Sequence, residues 1–214
     1  IKDKIKIKET NNMSTKPYKG FEPKWIKEAA PQDSYRSIFR WGDPNFVKYP
    51  KESLYKMMKD KFIMTDNDFK TYPVDIGWET VQLTQKSNMD EKHLKFFREV
   101  VGDAYVSTAD YNRLAVAYGK TAYDLLRLRE RKIDSLPDVV IYPDTTEQVE
   151  KIVAYCTEND IPLYVYGGGS TVTRGVEPIK GGVSLDMRMR FNKVISFNEV
   201  DQTITVQAGM SGPK

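Results

Sequence analysis

Between Leu136 and Gly169 the chain reads "LPDVVIYPDTTEQVEKIVAYCTENDIPLYVYGGG", an order of segments that constrains the fold more than any other stretch. "DVVIYP" is a short β-branched run closed by Pro143, the pattern of a buried strand. In "TTEQVEKIVAYCTEND", Thr145 and Gln148 are spaced for a capping box, and Val149, Ile152, Val153 and Cys156 fall at i, i+3, i+4, i+7. "PLYVY" is a second strand. Strand, capped helix and strand within about 30 residues form a βαβ unit, normally parallel and right-handed.

The second strand runs into Gly167, Gly168 and Gly169. In open α/β sheets, ligands gather beyond the carboxyl ends of the strands. Glycines permit φ > 0 and let the backbone approach a ligand with no Cβ in the way. Their N–H groups can converge on an anion, with Ser170, Thr171 and Thr173 adding hydroxyl donors. The pyrophosphate of a dinucleotide suits such a loop, although a mobile turn or a bulge would use glycines too. The Rossmann fingerprint G-x-G-x-x-G fails, because Val172 stands three places after Gly169. The glycines also follow the second strand of the unit and not the first, so an ordinary NAD fold is excluded.

Composition narrows the partners. A net charge of +3 with acids and bases interleaved makes no case for nucleic acid. Cys156, the single cysteine, rules out an internal disulfide and belongs to the apolar stripe of its helix. His93, the single histidine, is remote from it in sequence; both read as structural, with no metal site. No apolar run approaches the ~20 residues of a membrane helix, and no signal peptide is expected from the charged residues 1–16. A cytoplasmic location is the expectation, with peripheral membrane contact left open and no signal for an oligomeric state.

Upstream, residues 1–16 read as a charged, disordered tail, although "IKDKIKIKET" also alternates as an edge strand does. Residues 17–132 read as irregular and helical. Gly42, Asp43 and Pro44 suggest a turn, with Phe39, Trp41, Phe46 and Tyr49 available to pack. Asn88 and Glu91 suggest a capping box, Leu94, Phe97 and Val101 a buried helical face, and Gly102 its stop. Further helical stretches are expected near 109–118 and 121–131, the arginines of "DLLRLRERK" forming a solvated face. "AYGKTAYD" ends like a phosphate-binding P-loop at Gly119-Lys120-Thr121. Leu114 stands where the first glycine is required, however, and a helix precedes it where a strand should.

The segments from Leu136 to Met210, with "GGVSLDMRMRFNKV" and the hairpin ending "TVQAGM", resemble the start of the FAD-binding (PCMH-type) domain of the vanillyl-alcohol-oxidase family. "RWGDPNFVKYP" and "AYGKTAYDLLRLRERKIDSLPDVVIYP" resemble its alkylglycerone-phosphate synthase branch. The resemblance implies an α+β fold: a mostly helical amino-terminal arm, then the first half of the FAD domain over 133–214, built as a βαβ unit plus hairpin. It implies that Val165, Tyr166, Gly167, Gly168, Gly169, Ser170 and Thr171 wrap the FAD pyrophosphate. Val165 and Tyr166 stand where the branch has proline and isoleucine. Ser170 stands where some relatives bind FAD covalently through histidine, so FAD is expected to be non-covalent. Individual contacts are not carried onto 186–192, where the spacing departs from the family.

The family's catalytic residues lie beyond Lys214, so none is assigned within 1–214. The parent activity implied is a FAD-dependent transferase that exchanges the acyl chain of acyl-dihydroxyacetone phosphate for a fatty alcohol, in ether-lipid synthesis. Its lipid-like substrate would bind through the carboxyl-terminal part. A FAD-linked D-lactate or glycolate dehydrogenase or oxidase, and a non-catalytic flavin-binding module, remain the alternatives.

Overall fold

The computed structural model describes residues 30–38, 52–69 and 77–212. The expected tail over 1–16 and the aromatic turn around Gly42 lie outside them. Two compact units emerge, one made of Ile1–Ala29 with Val47–Pro73, the other of Ala30–Phe46 with Val74–Lys214. In the first, helix α2 (Glu52–Lys61) packs Tyr55 against Phe69 at 4.7 Å between ring centroids.

The second unit carries the remaining elements. Helices α1 (Tyr35–Ile38), α3 (Glu91–Val101), α4 (Asp110–Ala115) and α5 (Ala122–Arg129) precede strand β2 (Val139–Ile141), helix α6 (Thr146–Glu158) and strand β3 (Leu163–Tyr166). Strand β4 (Val183–Asp186) and the hairpin β5 (Val194–Asn198) and β6 (Thr203–Val206) follow. The expected β–α–β order is present, but β4 inserts between its two strands. Both β2 and β3 pair in parallel with β4, through Val139–Val183 and Leu163–Val183. A two-residue strand β1 (Val106–Ser107), which the helical reading of the arm had not foreseen, joins antiparallel to β2, giving the order β1-β2-β4-β3.

Strand alternation divides the sheet's side chains between two faces. Val139, Ile141, Val183 and Leu185 pack against Leu94, Phe97 and Val101 of α3 and Ile152 and Cys156 of α6. Burial of the Cys156 thiol pushes its pKa up to about 11, which suits a core residue. On the other face, Val140, Tyr142 and Tyr166 join Val116 from the segment after α4. The arm has its own core, in which Tyr35 and Ile38 meet Leu114, Tyr118, Leu128 and Leu136.

Several local expectations are corrected. Asp90, not Asn88, precedes α3, and it makes no side-chain cap. Asn88 instead donates its backbone N–H to Asp138 at 2.9 Å, a bond to a distant carboxylate that no local spacing announces. At α6, Thr145 caps the Gln148 N–H, but the Gln148 side chain reaches back to the N–H of Asp144 and not to that of Thr145. Val153 faces solvent, because α6 covers the sheet with a narrower stripe than its sequence offers. The arginine run is not all solvated: Arg127 is buried in an ion-pair cluster, and Asp124 forms a complete capping box with Thr121.

Candidate functional site

The carboxyl ends of the parallel strands and the arm enclose a cavity of about 520 Å³. The sheet contributes Tyr142, Tyr166 and Asp186, all from the arm-facing side. Tyr166 pairs with Asp186 across β3 and β4, and Tyr142 follows the last paired residue of β2, so the three stand level at the strand ends. The arm contributes Ser37 and Ile38 from α1, Tyr111 and Asn112 from α4, and Lys120 from the turn before α5. Gly168 and Arg188 complete the wall.

Of the seven residues expected to cradle an anion, Tyr166 and Gly168 line this cavity. Val165 is exposed. Gly167 lies beside the carbonyl of Ala208, which would stand 3.3 Å from an added Cβ. Among the three glycines only Gly169 has positive φ, at 63°, and a Cβ there would collide with the Tyr166 hydroxyl. Tyr166 is therefore a wedge beneath the loop, and Gly169 is the residue that lets the chain turn over it. Around Gly168 the situation is reversed: an added Cβ would meet no atom within 4 Å. Its missing side chain leaves room on the cavity wall, as a backbone that receives a ligand requires. Ser170 is exposed, and the Thr171 carbonyl accepts the Lys120 backbone N–H at 3.1 Å.

That last bond gives the P-loop-like "GKT" a structural role. It sits in a turn that follows helix α4, so the strand a P-loop requires is absent. A Cβ on Gly119 would run into the Thr171 carbonyl, so glycine there lets the arm press against the glycine loop. On its far side the loop is held by Glu177, which accepts from Arg127 at 3.0 Å and from Arg174 at 2.8 Å. Burial would push the Glu177 carboxyl up, but the two guanidinium groups overcome this and hold it at about 2.

Charge in the cavity is mixed but organised. Arg188 grips Asp186 through two bonds of 2.9 and 2.6 Å, and its guanidinium lies 4.5 Å from the Tyr166 ring centre. Burial, reinforced by Arg188 and partly offset by Asp124, lowers Lys120 to about 8. Burial also pushes Tyr142 up to about 12, with Asp186 adding to the shift and Arg188 opposing it. At neutral pH the site therefore offers two cations, one carboxylate already engaged, neutral phenols and open glycine backbone.

Residues 137–214 match the FAD binding domain family. The cofactor of that domain is FAD. Over 194 residues the chain is 28% identical to alkyldihydroxyacetonephosphate synthase of Trypanosoma brucei brucei, covering 81% of this chain and 32% of the relative. It is 34% identical over 76 residues to mitochondrial D-lactate dehydrogenase [cytochrome] 1 of Saccharomyces cerevisiae, covering 35% of this chain and 13% of that one. A solved alkyldihydroxyacetonephosphate synthase shares the fold, with a TM-score of 0.64 at 24% identity over 84% of this chain and 36% of that chain. The chain thus spans less than a third of the length of these two sequence relatives.

The residues present fit a flavin dinucleotide. Gly168 leaves its place on the wall open, and Lys120 and Arg188 supply positive charge to the same cavity. Sequence reasoning missed Lys120, Asp186 and Arg188. Alternation along "VSLD" was the available signal for Asp186, whereas nothing local marks Lys120. Among the described residues no group of three or more His, Cys, Asp or Glu side chains could hold a metal, and no helix is long and apolar enough to cross a membrane.

Proposed function

We propose that this chain is the FAD-binding part of an alkylglycerone-phosphate synthase-like enzyme, which replaces the acyl chain of acyl-dihydroxyacetone phosphate with a fatty alcohol. The observation that carries this reading is the reach of the similarity. The match to the trypanosome synthase covers 81% of the chain and so takes in much of the arm, against 35% and 61% for the D-lactate dehydrogenases of Saccharomyces cerevisiae and Danio rerio. The arm forms one wall of the cavity, so likeness there bears on the site and not only on the scaffold.

In this reading the glycine loop and the arm hold the cofactor, which supplies the reactive ring. Gly168 provides close backbone approach, Gly169 and Tyr166 set the turn, and Ser170 leaves the flavin non-covalently held. The 34% identity to the D-lactate enzyme supports an oxidoreductase as the second reading.

One pair of measurements tests both levels. Folded Gly168→Val protein should purify with little flavin absorbance, because the side chain would occupy the open wall. Ser170→Ala should lose far less, at most a hydrogen bond worth ~0.5–3 kcal/mol. A full complement of flavin in folded Gly168→Val would refute the cradle. With the full-length protein, ether product from palmitoyl-dihydroxyacetone phosphate and hexadecanol supports the synthase; bleaching of the flavin by D-lactate or glycolate supports the alternative.

A further inference from the structure

Lys120, from the turn before α5, and Arg188, from the segment after β4, line one cavity, and only Arg188 is paired there with a carboxylate. Among the described residues the Lys120 ammonium makes one hydrogen bond, to the Ile38 carbonyl at 3.2 Å, and no ion pair. Its backbone is fixed to the glycine loop by the bond to Thr171 and by the close approach at Gly119. A half-buried ammonium that shares a cavity with open glycine backbone and a second cation, and makes no ion pair among the described residues, is under-compensated. A compact ammonium and a guanidinium together suit a phosphate group.

We propose that Lys120 and Arg188 bind a phosphate group, so that the helical arm, and not only the glycine loop, holds the cofactor's diphosphate. The proposal rests on the reading of this cavity as the flavin site. A phosphate on the substrate would present the same chemistry, and the choice of probes separates the two.

The test is binding to the flavin-stripped full-length protein, followed by quenching of flavin fluorescence for FAD and riboflavin and by calorimetry for dihydroxyacetone phosphate. Lys120→Gln keeps a donor for the Ile38 carbonyl and removes the charge. It should weaken FAD by about tenfold or more, as loss of a charge-assisted contact does, while riboflavin, which has no phosphate, binds as before. Weakening confined to dihydroxyacetone phosphate would overturn the proposal and assign the pair to the substrate's phosphate instead. Undiminished binding of both phosphate ligands would overturn the proposal.

The pH profile supplies a second readout. Lys120 sits near 8 without its anion, so wild-type FAD affinity should be level below about pH 8 and fall above it. The groups facing it are Arg188, Asp186, Tyr142 and Tyr166 from the sheet and the segment after β4, Tyr111 from α4 and Asp124 from α5; α1 brings only Ser37 and Ile38. Tyr142 and Tyr166 titrate higher, and ionisation of the flavin ring is common to every variant. Lys120→Arg, charged throughout, should keep the affinity and lose the fall, and it decides the matter if Lys120→Gln does not fold. The same fall in Lys120→Arg as in wild type would overturn the proposal. If Gly168→Val empties the site while Lys120→Gln fills normally, only this proposal fails. If both fill normally, the cavity is not the flavin site.

Discussion

Strands β2 and β4, "VVI" and "VSLD", and strands β5 and β6, "VISFN" and "TITV", are built from nearly the same residue types and end in opposite surroundings. Every residue of β2 and β4 is buried; every residue of β5 and β6 is exposed. The difference lies in their partners. The central sheet is covered on one face by α3 and α6 and on the other by the segment after α4, whereas the hairpin pairs only with itself among the described residues. β-branched residues favour a strand in both places, but burial is granted by elements distant in the chain. That contrast also explains where the site lies: the covered sheet has rigid strand ends, and the cavity is built on them.

The largest expected effect sharpens the contrast inside the sheet. Leu185 is fully buried between its paired neighbours Ile141 and Val165 and packs in the α3–α6 core. Leu185→Ala should cost about 2–5 kcal/mol in urea unfolding, from lost transfer energy and the cavity left behind. Its hairpin counterpart, Ile204→Ala, removes a side chain that is already 58% exposed and should cost far less. Equal losses would mean that the hairpin is packed as tightly as the sheet.

A middle-sized effect comes from the loop between β3 and β4, which is held by charge where the sheet is held by apolar contact. The Glu177 carboxyl is held at about 2, against an ordinary value of 4.5. A carboxylate with a lowered folded pKa stabilises the protein above its unfolded pKa, and the contribution disappears as pH falls through the folded value. The shift corresponds to about 3 kcal/mol, present above roughly pH 4.5 and lost on the way down to about pH 2. Glu177→Gln should lower stability at pH 7 by about that much and flatten the decline over this interval, read from urea midpoints of both proteins. Parallel pH curves for the two would show that the Arg127 cluster does not stabilise the loop through charge.

How much of this could be read from the sequence follows the same division. The order strand, helix, strand, glycines was legible because each piece has a local signature, in the β-branched runs and the Thr145 cap, whereas the next strand and the hairpin were expected only from the family resemblance. What local pattern does not hold is who meets whom. Nothing near Asn88 announces Asp138, and nothing in "DLLRLRERK" says that Arg127 will face Glu177 fifty residues later. Nor could the glycine run reveal its inner division of labour, with Gly169 turning over Tyr166 and Gly168 open to the cavity. Lys120 looked like a fragment of a failed phosphate motif, and became part of the site only because Gly119 lets the arm reach Thr171.

The smallest expected effect bears on the hairpin itself. Phe197 and Ile204 are directly paired across β5 and β6, so they share a face, and both are more than half exposed. With Ile195 at 64% and Val200 at 91% exposure, this ribbon presents apolar surface with nothing over it among the described residues. Phe197→Ser removes a ring that contributes little to the folded segment's own packing, so urea unfolding of residues 1–214 should change by no more than about 0.5 kcal/mol. The same substitution removes a large exposed apolar group, so the segment should associate less with itself during gel filtration and bind less hydrophobic dye. Stability and association are thereby separated, as they cannot be at Leu185, where packing and solubility fail together. A Phe197→Ser protein destabilised as much as Leu185→Ala would break the contrast, because an exposed ring cannot cost what a buried leucine does.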